Sequence, residues 1–177
     1  MTGISPPTTP ATQSAPVPAP ARLEAGQAAP DFTLPSDTGD TVTLSALHGK
    51  NIILYFYPAA MTPGCTTEAC DFRDAHAQFP AANPVIFGVS RDSLRTHENF
   101  KAKHEFPFEL ISDPDEELCK LFDVIKLKKL YGKEHMGIER STFLFDAEGK
   151  LQRSWRKVRV AGHVAEVLTA AQELQQK

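Results

Sequence analysis

The stretch Asn51–Asp74, NIILYFYPAAMTPGCTTEACDFRD, decides how the chain is read. From Ile52 to Tyr57 it is an unbroken apolar run, bounded by Gly49-Lys50 and Pro58. That is the pattern of a short central strand buried on both faces. A helix is expected to follow, from about Pro63 to Phe79. Thr62-Pro63-Gly64-Cys65 marks the junction. Thr62 suits the N-cap, and Pro63 suits the first helical position, where a missing N–H costs nothing. Gly64 lets a ligand come close to the backbone. Cys65 then lies in the first turn, facing unpaired N–H groups and the positive end of the helix dipole. Such a placement favours a thiolate nucleophile. The Thr62 hydroxyl, one turn away, is in reach of the sulfur or of an oxygen it attacks. A buried structural cysteine at a capped helix start is the plainer alternative.

Cys70 follows after four intervening residues, two too many for the C-x-x-C of a dithiol motif. In a helix, residues five apart have Cα atoms about 8–9 Å apart and point about 140° away from one another. A disulfide needs its Cα atoms within about 7 Å. The two thiols therefore either never bond, or bond only when the first turns unwind. Metal binding fits poorly: no C-x-x-C or His-x-His lies near, and His76 falls too far along.

Around this stretch the chain alternates strand and helix signals. DFTL and DTVTL flank the turn cluster PSDTGD and read as a hairpin. PVIFGVS (Pro84–Ser90) is a second buried strand, and Asp92-Ser93 caps a helix through about His104. FELISD is a short strand, and DPDEELCKLFD a helix with an acidic first turn. KLKKLYGKEHMG reads as a polar loop. STFLFD and KLQRSWRKV are two strands joined by a turn at Asp146–Gly149, and a closing helix spans about Gly162 to Leu174. The order describes a three-layer α/β domain with a mixed sheet.

With 177 residues, one domain over 23–177 is expected, preceded by a tail over 1–22. The tail is built from Pro, Ala, Thr and Ser with no charged side chain before Arg22, so it is expected to be disordered. It has neither the basic start nor the apolar run of a secretory signal. A net charge of −3 gives no basic surface for nucleic acid or an anionic membrane. No apolar run reaches the roughly 20 residues of a membrane span. Three cysteines are too few for a secreted disulfide framework and suit a reducing, cytoplasmic compartment.

Pro58-x-x-x-Thr62-x-x-Cys65 resembles the P-x-x-x-T-x-x-C signature of peroxiredoxins. The longer YFYPAAMTPGCTTEACDFRD, with its C-x4-C pair, is similar to the peroxiredoxin Q (bacterioferritin comigratory protein) subgroup. The likeness continues through YGKEHMGIERSTFLFDAEGKL and covers residues 23–175. It implies a thioredoxin fold, three-layer α/β/α with a central mixed sheet and an N-terminal hairpin extension. It also implies a monomeric thiol peroxidase that needs no metal, haem or flavin. Cys65 would reduce hydrogen peroxide or alkyl hydroperoxides, Cys70 would resolve the sulfenic acid as an intramolecular disulfide, and thioredoxin or a similar dithiol would recycle both. By the same likeness, Pro58 shields the pocket, Thr62 hydrogen-bonds thiolate and peroxide, Arg140 stands beside the sulfur, and Glu68 orients Arg140. Read from the residues alone, Arg140 is a cation at the start of an apolar strand, suited to stabilise a thiolate and a leaving oxygen. Without the likeness, a surface arginine at a strand end is the plainer reading. Glu68 on its own would oppose a thiolate by like charge, or be an ordinary first-turn glutamate.

The remaining residues read more plainly. Cys119 lies among Leu118, Leu121 and Phe122 and suits a core position, with an alternative resolving thiol as the second reading. Histidines 48, 76, 97, 104, 135 and 163 form no i, i+4 pair on one helix and read as surface or satisfied side chains. Trp155 is expected to pack against the closing helix. Two other functions stand beside the peroxidase. One is a thioredoxin-type disulfide oxidoreductase, which the C-x4-C spacing disfavours. The other is a non-catalytic binding module presenting the Pro-rich tail.

Overall fold

A computed structural model describes residues 24–29, 31–47, 49–76 and 84–175. The 1–22 tail and the end of the first helix beyond His76 lie outside the described residues. Strand β3 (Ile52–Phe56) is the centre of a five-stranded sheet. It pairs in parallel with β4 (Val85–Ser90), which pairs in parallel with β5 (Glu109–Ser112). On its other side β3 pairs antiparallel with β8 (Ser141–Phe145), and β8 with β9 (Leu151–Trp155). The order is β5-β4-β3-β8-β9.

The period-2 alternation of strand side chains divides β3 between two cores. Ile53, Tyr55 and Tyr57 face one cluster, with Cys65, Ala69 and Phe72 of α1 (Pro63–His76), Phe100 of α2 (Leu94–His104), and Val167 and Ala171 of α4 (His163–Gln175). Ile52, Leu54 and Phe56 face the other. There they meet Leu34 of β1 (Thr33–Pro35), Val42 of β2 (Thr41–Thr43), and Leu118 and Cys119 of α3 (Glu117–Leu121). Burying each such large apolar side chain stabilises the fold by about 1.5–3 kcal/mol, so a continuous apolar strand is the cheapest centre for a sheet covered on both faces. β1 and β2 form the expected hairpin. Ser93 caps α2 by accepting from the Thr96 N–H at 3.2 Å.

Two expectations change. KLKKLYGKEHMG is a β-hairpin rather than a loop, made of β6 (Ile125–Leu130) and β7 (Lys133–Ile138). Tyr131 (φ 52°) and Gly132 (φ 78°) form its two-residue turn, and two successive positive φ values suit the twist of a tight hairpin. The lysines mask an alternation of Ile125 and Leu127 with Lys126 and Lys128 that is itself a strand signal. The helix expected across DPDEELCKLFD is confined to the five residues of α3. Glu116 (φ 60°) and Asp123 (φ 53°) turn left-handed on either side of it and end the helical path.

Candidate active site

The site lies where the chain leaves the C-terminal end of β3. The Tyr57 N–H donates to Val89 O at 3.0 Å, and the chain then parts from the sheet at the half-buried Pro58. The Ala60 N–H donates to Asp92 Oδ2 at 2.8 Å, and Ser90 Oγ donates to the same oxygen at 2.6 Å. The end of β4 thereby clamps the loop. Met61 is held at φ 67°, a left-handed conformation that costs a side chain with a Cβ on the order of 1 kcal/mol. Thr66 N–H to Thr62 O, 2.9 Å, begins α1. The Thr62 hydroxyl donates to Ala59 O at 2.8 Å. It thus braces the preceding turn, with its proton given to that carbonyl in this arrangement.

Cys65 sits in the first turn of α1 and is only 1% exposed. Arg140 reaches it from between β7 and β8, with Nη2 donating to Sγ at 3.3 Å. The other guanidinium nitrogen, Nη1, donates to Glu68 Oε1 at 2.7 Å. One arginine therefore bridges the thiol and a carboxylate one turn further along the same helix. Gly64 proves to serve the arginine: a Cβ there would lie 3.3 Å from Arg140 Nη2.

Glu68 is fully buried, and that burial pushes its carboxyl from the ordinary 4.5 to about 7, with Arg140 pulling it back down. Burial also works against the Arg140 charge, but Glu68 and Cys65 outweigh it and hold the guanidinium above its usual range. Behind Glu68, Oε2 lies 4.0 Å from His163 Nε2, which hydrogen-bonds Thr142 Oγ1 at 2.8 Å. Burial, with the Arg140 charge, lowers His163 to about 4 and keeps the imidazole neutral. Trp155 packs edge-on against this ring at 5.9 Å, so it does meet the closing helix, at its first residue. Lys128 of β6 carries a lowered pKa, from desolvation first and then from the Arg140 charge.

Cys70 is half-buried further along the helix, with Sγ 3.9 Å from Nδ1 of His104 at the end of α2. Both thiols are free, and α1 is continuous across them. Cys119 lies in the core on the opposite face of the sheet. Burial, and then Asp113, pushes its thiol well above the usual range and disfavours a thiolate there, and the core placement is the one its apolar neighbours suggest. Of the residues singled out from sequence, the fold joins Cys65, Glu68 and Arg140 directly and sets Thr62 and Pro58 in the loop before them. Sequence reasoning missed Asp92, which reads only as part of a helix start. It also missed His104 and His163, whose partners are distant along the chain, and Met61, whose residue type carries no positive-φ signal.

A five-stranded mixed sheet with helices on its faces, and a cysteine–arginine pair at the helix that follows β3, define a class of thiol-dependent enzymes with a thioredoxin-like fold. The AhpC/TSA family profile matches residues 25–154, and the chain belongs to that family. It is 57% identical to peroxiredoxin Bcp of Bacillus subtilis over 155 residues, 88% of this chain and 99% of the relative. Over 148 residues, 84% of this chain and 92% of the relative, it is 51% identical to peroxiredoxin Bcp of Xanthomonas campestris. A solved X. campestris bacterioferritin comigratory protein, studied for alkyl peroxide reduction, superposes with a TM-score of 0.78 at 50% identity, covering 85% of this chain and 96% of that one. A Xylella fastidiosa PrxQ mutant gives 0.81 at 39% identity, covering 86% and 98%. The chain is a peroxiredoxin, a thiol peroxidase acting on a peroxide with a thiol reductant. Among the described residues, no helix is long and apolar enough to cross a membrane.

Proposed function

We propose that the protein reduces hydrogen peroxide and alkyl hydroperoxides through Cys65, resolves the product with Cys70, and is recycled by thioredoxin or a similar dithiol. The observation that carries the reading is Arg140 Nη2 at 3.3 Å from Cys65 Sγ. A guanidinium there favours the thiolate and, as the O–O bond breaks, faces the oxygen on which negative charge develops. The thiolate attacks the terminal peroxide oxygen, an S–O bond forms, and the alkoxide or hydroxide leaves and takes a proton. Cys65 is then a sulfenic acid. Cys70 attacks its sulfur, water leaves, and a disulfide joins the two within one chain.

Each neighbour has a role in this cycle. Glu68 holds one edge of Arg140 so that the other edge points at the sulfur. Pro58 limits water at the loop. The Thr62 hydroxyl exchanges Ala59 O for the peroxide when substrate enters. The alkyl substrates are inferred from the X. campestris relative. We assign the enzyme to a reducing, cytoplasmic setting as a monomer, with residues 1–22 as a tail outside the catalytic domain.

The test is peroxide consumption with a thioredoxin system, comparing the parent with Cys65→Ser and Cys70→Ser. The first is expected to lose turnover, and the second to stop after one equivalent. Non-reducing mass spectrometry after one equivalent of peroxide should give a Cys65–Cys70 bond within one chain. An intermolecular dimer, or a bond to Cys119, would overturn the resolving assignment.

A further inference from the structure

The two ends of α1 are held very differently. Met61, Thr62, Pro63 and Gly64 are all exposed, and in the first turn only Cys65 is inserted into the core. Past Glu68 the helix is anchored. Ala69, Phe72 and Ala75 are buried, and Arg73 Nη1 donates to the carbonyl of His104 at 2.8 Å. If the cysteines are to meet, the exposed turn must open, and Cys65 must travel to Cys70. Cys70 belongs to the anchored part of the helix, so its folded surroundings bear on how it reacts.

Those surroundings contain an imidazole. His104, the last residue of α2, has Nδ1 3.9 Å from Cys70 Sγ. Its ring is fixed by two aromatics, edge-on to Phe100 and stacked on Phe106, each with centroids 5.5 Å away. The left-handed Glu105 (φ 54°) turns the chain so that Phe106 folds back onto that ring. The charged group beside the thiol is Arg73 from α1, which is itself paired with Asp74 at 3.1 Å and influenced by Glu105 from the end of α2. Cys70 thus has an imidazole nitrogen at its sulfur and a cation beside it.

We propose that His104 is the general base that deprotonates Cys70 for disulfide formation. The assignment rests on Cys70 being the resolving cysteine. Only a thiolate attacks a sulfenic sulfur at a useful rate, and imidazole is the side chain suited to take a proton near neutral pH. The proton passes from Cys70 Sγ to His104 Nδ1, and the thiolate attacks Cys65 Sγ. The S–S bond forms as the S–O bond breaks, and the departing hydroxide takes a proton to become water. The Cys70 sulfur is oxidised and the Cys65 sulfur reduced, so no further oxidant is needed.

The test is a single turnover with one equivalent of hydrogen peroxide, quenched by alkylation, with sulfenic acid and disulfide counted by mass spectrometry. His104→Phe keeps an aromatic ring between Phe100 and Phe106, and His104→Gln keeps a polar group without a base. Both are expected to slow the conversion of sulfenic acid to disulfide by about 10²-fold near neutral pH. Between roughly pH 6 and 9 their rates should rise more steeply than the parent's, approaching it as hydroxide replaces the base. Parent-like rates in both variants, or a slowing that is the same at every pH, would overturn the proposal. If Cys70→Ser still forms an intrachain disulfide, the resolving assignment fails instead, and His104 is not what failed.

Discussion

Cys65 and Cys119 begin alike. Each is the third residue of a helix and almost fully buried, at 1% and 0% exposure, and they lie on opposite faces of one sheet. They differ in the charge that tertiary structure brings to them. Cys65 receives a guanidinium from a residue 75 positions away. Cys119 receives Asp113, whose Oδ2 accepts its backbone N–H at 2.8 Å and whose charge opposes a thiolate. A helix start and burial are thus not enough to make a nucleophile. Burial alone disfavours the thiolate, and a nearby cation is needed to reverse that.

The largest expected effect breaks the comparison at its centre. Arg140→Met should lower the second-order rate of Cys65 oxidation by hydrogen peroxide about 10²–10³-fold in stopped-flow measurements. Arg140→Lys should recover only part of it, because a point charge does not span Cys65 and Glu68 as the planar fork does. Native-state alkylation with iodoacetamide sharpens the same contrast: Cys65 should label and Cys119 should not, until denaturant is added.

Glu68→Gln tests the other edge of the arginine. The folded carboxyl titrates near 7 rather than 4.5, so between these values the native state binds a proton that the unfolded chain has released. Stability in the parent should therefore fall as pH rises through that window, by at most about 1.4 kcal/mol per pH unit from this group. Denaturant melts at pH 5 and 7 should show the parent losing more stability on going to pH 7 than the Gln variant does. The smallest effect belongs to the core cysteine. Cys119→Ala should leave peroxidase turnover unchanged and cost about 1 kcal/mol in a denaturant melt, the scale of a small cavity.

The position of the proposed nucleophile was legible in the chain because it depends on neighbours. TPGC announces a helix start, and the apolar run from Ile52 to Tyr57 announces the strand before it. The C-x4-C spacing was legible for the same reason, since helix geometry alone separates the two sulfurs. The β6–β7 hairpin was not, because four lysines in ten residues outweigh its alternation when composition is read. The histidines were not legible either. A rule that looks for i, i+4 pairs on one helix finds nothing where His104 meets Cys70 across 34 positions.

Local sequence, through strand and helix periodicity, capping and the spacing of two cysteines, determined the order of elements and that Cys65 stands at a helix start after a buried strand. Tertiary structure alone decided what surrounds each thiol: Arg140 and Glu68 at Cys65, His104 at Cys70 and Asp113 at Cys119. Thiol reactivity is set by charge and burial within a few ångströms. Apart from Glu68 in the helix of Cys65 and Asp113 just before α3, those neighbours come from segments that are near only because the sheet brings them together.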